Sequence, residues 1–88
     1  MSKFDESKAE NPRLDAHALR LLVAVVDTGS ITRAAEQLGI TQSGVSHQLD
    51  KLRAITGDPL FVKSGRGIVP TARALLLADE ARDLLQRL

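Results

Sequence analysis

Apolar residues recur along this chain in blocks with helical spacing, and short polar clusters separate the blocks. Leu19, Leu22, Val23 and Val26 repeat at intervals of three and four. Leu21, Ala24 and Val25 widen that stripe enough for burial on more than one side. This predicts a first helix from about Asp15 to Asp27, with Asp15 as its N-cap. Asp27-Thr28-Gly29-Ser30 is a stop followed by a new start. A second helix runs from Ser30, its N-cap, to Leu38, and Gly39 takes the left-handed position beyond its end. Ala34 and Ala35 are small enough to let another helix cross closely, and Ile40 is an apolar plug in the turn. A third helix starts at Thr41 and continues to about Thr56, with Gly57 ending it. Its inner stripe is Val45, Leu49 and Leu52, joined by Ile55 near the end.

After Asp58-Pro59 the period shortens. Leu60 to Lys63 reads as a strand, Ser64-Gly65-Arg66-Gly67 as a turn, and Ile68-Val69 as the return strand, ended by Pro70. Thr71 caps a last helix that extends to the chain end. Ala74, Ala78, Ala81, Leu85 and Leu88 recur there at spacings of four and three. Part of that surface can pack on the first helix. The remainder would leave a large apolar patch on a monomer, so this stripe is the expected dimer face. No Gly or Pro follows it, and the chain is expected to be a piece of a longer protein. Residues 1–12, polar and without periodicity, are expected to be a disordered leader. Residues 13–70 then form one folded unit and residues 71–88 its linker helix.

The polar face of the third helix is what points to a function. Gln42, Ser46, His47 and Asp50 fall opposite its apolar stripe, with Ser43 beside Gln42. Two short helices joined by a tight turn, the second showing hydrogen-bonding side chains at its start, can enter the major groove of DNA. Gln42 can bond bidentately to adenine. Ser43 and Ser46 suit a phosphate or a base edge, and His47 can donate to a phosphate or to guanine. Thr32 and Arg33 open the helix that crosses the backbone. Arg66, between two glycines, fits the minor groove.

Composition narrows this further. The 88 residues make one domain, with no cysteine and only two histidines, which excludes a disulfide framework and a clustered metal site. Two phenylalanines are the only aromatics, too few to stack the bases of single strands or RNA. The net charge is +1, but residues 13–78 carry +3, a mildly basic middle that favours binding as a dimer. Ser46, His47 and Asp50 lie on one helix face with no oxyanion pocket, so they are no catalytic triad, and no enzyme chemistry or cofactor is expected. There is no membrane-spanning run and no signal pattern, and a cytoplasmic location follows.

From Leu19 to about Leu77 the chain resembles the N-terminal domain of LysR-type transcriptional regulators. Residues 21–30 and 32–38 look like that family's first two helices, and Thr41-Gln-Ser-Gly-Val-Ser-His-Gln-Leu49 like its recognition helix. Pro59-Leu60-Phe61, Gly65-Arg66-Gly67 and Pro70-Thr71 match its path through the wing into the linker helix. Ser43, Gly44 and His47 stand where many members have Pro, Ala, and Arg or another long residue.

The resemblance implies a mainly α fold: a winged helix-turn-helix with a three-helix core and a small β-hairpin wing, followed by a long C-terminal linker and dimerisation helix. It implies sequence-specific binding to double-stranded promoter DNA as a homodimer that regulates transcription. Thr41, Gln42, Ser43, Ser46 and His47 would lie in the major groove, Thr32 and Arg33 on the backbone, and Arg66 at the minor groove. It leaves a tetramer open for a full-length protein. An effector ligand enters only with a further C-terminal domain. The location implied is the bacterial cytoplasm, on the nucleoid when bound to DNA. The competing expectation is a winged-helix interaction module that dimerises without binding DNA; such a module would carry apolar residues on the outer face of the third helix.

Overall fold

Four side chains and three glycines punctuate the chain, and they account for where its elements begin and end. The computed structural model describes residues 15–88, so the expectation of a disordered leader over 1–12 lies outside the described residues. Helix α1 spans Ala16–Thr28, α2 Ile31–Leu38, α3 Gln42–Thr56 and α4 Ala72–Gln86, with strands β1 (Phe61–Ser64) and β2 (Gly67–Pro70) between the last two helices. Asp15, Ser30, Thr41 and Thr71 each accept a hydrogen bond from the backbone N–H three residues on, satisfying a donor that the helix itself leaves unpaired. Gly29, Gly39 and Gly57 adopt the left-handed conformation that ends α1, α2 and α3.

The core joins all four helices to the foot of the hairpin. Leu21, Leu22, Val25, Val45, Leu49, Leu52, Leu60 and Phe61 are buried around Ala34 and Ala35, whose small side chains let α3 cross α2 closely. Helix α1 is buried on a different set from the one its simplest stripe predicts. Ala18, Leu21, Leu22, Ala24 and Val25 are inside, while Leu19, Val23 and Val26 are only half-buried. The reason is that α1 packs on both α2 and α4, so its buried face is broad.

Helix α4 requires a correction. Ala74, Ala78, Ala81, Leu85 and Leu88 do not form one free stripe. Ala74, Ala78 and Ala81 are 0%, 0% and 1% exposed, buried within the protomer where α4 runs along α1. Their small side chains let the two helices approach. Leu85 is half-buried, and only Leu88 of the set is open to solvent. The large apolar side chains that α4 does expose are Leu75, Leu76 and Leu84, and Leu88 is exposed just beyond its end. Arg82 ties α4 to α1 through an ion pair with Asp27 at the end of α1, and pairs with Asp79 within α4.

The hairpin is antiparallel, with Phe61 opposite Pro70, Val62 opposite Val69, Lys63 opposite Ile68 and Ser64 opposite Gly67. Its turn is the pair Gly65-Arg66, tighter than the four-residue turn expected, and β1 starts one residue later than expected. Leu60 is the cause of the later start. It holds a positive φ of 65° while its side chain is completely buried, so it forms a corner and not a strand residue.

That corner is fixed by Asp58. One oxygen of its carboxylate, Oδ2, accepts from the Leu60 N–H and from the Thr71 hydroxyl, both at 2.8 Å, and the Thr71 N–H donates to the Leu60 carbonyl at 2.8 Å. A single carboxylate thus joins the entry of the wing to the start of α4. The Thr71 and Leu60 hydrogen bonds, helped by the positive charge of Arg73, hold the Asp58 carboxyl below its ordinary range. A carboxyl depressed in the folded state stabilises the fold fully above its unfolded value, near pH 4, and loses that contribution as pH falls through the folded value. Urea unfolding followed at neutral pH and at about pH 3 should therefore show an acid-side loss of stability that is smaller in Asp58→Asn. An unchanged acid limb in that variant would show that the corner is not held by charge.

Candidate nucleic-acid interface

The exposed surface of α3 is almost entirely polar. Gln42, Ser43, Ser46, His47 and Asp50 are all exposed, and Ala54 is the only exposed apolar residue of the helix. The face exists because Val45, Leu49 and Leu52 take the opposite side into the core. Thr41 shares the exposed end of the helix. Its hydroxyl already accepts from the Gly44 N–H at 3.0 Å and lies 3.2 Å from the Ser43 hydroxyl, so it is engaged in capping the first turn. Gly44 fits this crowding: a methyl group there would sit 3.1 Å from the Thr41 hydroxyl.

Thr32 and Arg33 are exposed on the first turn of α2, where Ser30 accepts from the Arg33 N–H. Arg66 is exposed at the tip of the wing. The fold brings the wing to the start of α2, which no local pattern announces. A shallow cleft is lined on one side by Gly29, Ser30, Ile31 and Thr32 and on the other by Lys63, Arg66, Gly67 and Ile68. The backbones meet closely here, since a methyl group on Gly67 would lie 3.7 Å from the Gly29 carbonyl oxygen. Lys63 therefore stands beside Thr32 and Arg66 at one opening. Among the described residues, no carboxylate lies within ion-pair distance of Arg33, Lys63 or Arg66, whereas Arg53 and Arg82 are committed to aspartates. Uncommitted cations thus include two on the wing and one on the first turn of α2.

No group of three or more His, Cys, Asp or Glu among the described residues could hold a metal ion, and no described helix is long and apolar enough to cross a membrane.

Comparison with known proteins gives the same picture at three levels. The model for bacterial regulatory helix-turn-helix proteins of the lysR family matches residues 16–75. The HTH-type transcriptional regulator LeuO of Escherichia coli is 42% identical over 80 residues, covering 91% of this chain and 26% of that protein. The transcriptional activator AmpR of Rhodobacter capsulatus is 38% identical over 68 residues, 77% of this chain and 24% of its own length. The chain thus spans about a quarter of the length of these relatives. Among solved structures, the CbnR DBD–DNA complex superposes with a TM-score of 0.77 at 30% identity, covering 83% of this chain and 84% of that one. The BenM DBD bound to benA site 1 DNA gives 0.78 at 31% identity, covering 84% and 83%.

Proposed function

The chain belongs to the LysR family of bacterial regulatory helix-turn-helix proteins, and from that premise we propose that it binds double-stranded promoter DNA sequence-specifically, as a homodimer, to regulate transcription. The observation that carries this reading is the outer face of α3, polar but for Ala54, with uncommitted cations on the first turn of α2 and on the wing. An interaction module without DNA binding would need apolar side chains on that face, and it has only Ala54. Solved relatives of this fold, CbnR and BenM, are bound to DNA in their crystals. The protein would then act in the bacterial cytoplasm, on the nucleoid.

Each group has a distinct role in this reading. Helix α3 lies in the major groove, where the Gln42 amide pairs with adenine N6 and N7, and Ser43, Ser46 and His47 meet base edges or nearby phosphates. Thr41, Thr32 and Arg33 hold the backbone on either side of the turn. Arg66 enters the minor groove, and Lys63 adds a phosphate contact beside it. The homodimer forms through the leucines that α4 leaves exposed, in place of the buried alanines. A two-fold pair would present two recognition helices about one DNA turn, or a multiple, apart.

An anisotropy titration against a selected site and against random duplex tests the assignment. Gln42→Ala should cost about 1–3 kcal/mol on the selected site and little on random DNA. Arg66→Ala should weaken binding to both and lower the salt slope by about one unit. Equal losses on every sequence for Gln42→Ala would reject its base-reading role.

A further inference from the structure

Helix α3 carries one acidic residue, Asp50, and it stands in the middle of the polar face, one turn beyond Ser46 and His47. Its side chain is 71% exposed, yet it is not loose. Oδ1 accepts from the Arg53 guanidinium at 2.8 Å, and the Nε of that guanidinium donates to the Pro59 carbonyl at 2.9 Å. The carboxylate is therefore held from behind by a side chain anchored at the entry to the wing. Among the described hydrogen bonds none uses its second oxygen, Oδ2.

A carboxylate facing a phosphate repels it, so an acid at this position disfavours DNA unless it lies over base edges. Three of the four bases present an acceptor to it in the major groove: guanine offers O6 and N7, thymine O4, and adenine places N7 beside its N6 amino group. Cytosine alone presents an amino donor with no acceptor next to it. We propose that Asp50 is a specificity-determining residue that accepts a hydrogen bond from a cytosine N4 amino group, with Arg53 as the positioning residue that holds its carboxylate. The proposal rests on the reading that α3 lies in the major groove.

The test presents a duplex library, randomised across the half-site, to the protein and to its Asp50→Ala, Asp50→Asn and Arg53→Ala variants, and sequences the bound pools. Asp50 is exposed, and circular dichroism checks that each variant keeps the fold. The unaltered protein should enrich cytosine at one position on the order of tenfold. Asp50→Ala should flatten that position and leave the rest of the motif. Asp50→Asn should move it toward adenine, whose N6 and N7 match an amide. Arg53→Ala should weaken the cytosine preference and spare the position read by Gln42. If all pools share one motif and the Asp50 variants merely bind more tightly, the carboxylate only repels phosphate and the proposal is overturned. No motif at all from the unaltered protein would instead sink the major-groove reading, and the proposal with it.

Discussion

In a urea titration, Leu49→Ala should lose about 2–5 kcal/mol of unfolding free energy. Leu49 is 1% exposed and sits in the core cluster with Leu21, Leu22, Val25, Val45 and Leu52. It is also the centre of the inner stripe that presses α3 onto the rest of the domain. The surroundings cannot collapse readily into the space its removal leaves, because Ala34 and Ala35 have no side chain to spare and α2 already crosses α3 at close range. The cost is therefore the lost transfer energy of the side chain plus an unfilled cavity. Natural domains hold only about 5–15 kcal/mol in total, so the variant should lose much of its margin and, with it, DNA binding at elevated temperature. Ser46→Ala, three residues away on the exposed face, should stay within about 0.5 kcal/mol. A loss below about 1 kcal/mol for Leu49→Ala, outside the range for a buried leucine, would mean that α3 is not seated on this core.

What could be read in the sequence was what a few neighbouring residues decide among themselves. Asp15, Ser30, Thr41 and Thr71 cap helices because a short oxygen-bearing side chain reaches the N–H three residues on, and that geometry is local. Gly39 and Gly57 end helices for an equally local reason. The polar face of α3 was legible because Val45, Leu49 and Leu52 fix which side of the helix goes inward, leaving Gln42, Ser46 and His47 outside. Periodicity tells which residues share a face but not what covers that face. Ala74, Ala78 and Ala81 do share one, yet α1 covers it, and the surface left for a partner lies elsewhere on α4.

Most of the remaining features depend on residues far apart in the chain. The Asp58 carboxylate bonds to Thr71 thirteen residues away, and this tie lets Leu60 turn a corner that the apolar run from Leu60 to Val62 reads as strand. Lys63 becomes part of the candidate interface only because the wing folds back to the start of α2. The Arg53 bridge from Asp50 to the Pro59 carbonyl is likewise invisible until α3 and the following loop are placed together. The Asp58–Thr71 tie and the approach of the wing to α2 are tertiary, while the Asp50–Arg53–Pro59 bridge is short-range and depends on how the chain turns after α3.

Replacing Leu76 and Leu84 together by Asp should reduce affinity for a two-half-site operator by about 10²–10⁴-fold while leaving the affinity for a single half-site nearly unchanged. Both leucines are exposed, at 62% and 49%, and Leu88, just past the end of α4, is 79% exposed. A helix that has already filled its inner face with alanines has no use for these side chains within the protomer, and their contact with water costs free energy that a second copy would relieve. The mildly basic middle of the chain gives each protomer few phosphate contacts. Under the proposed homodimer, tight operator binding would come from linking two weak half-site interactions into one intramolecular pair. Carboxylates at 76 and 84 would meet their own counterparts across a two-fold interface and repel them. Sedimentation should show a monomer for the double variant at concentrations where the unaltered protein is dimeric. Circular dichroism should be unaltered, because Ala74, Ala78 and Ala81 still hold α4 on α1. A double variant that remains dimeric, or that loses single half-site and operator binding equally, would place the dimer contact away from the exposed leucines of α4.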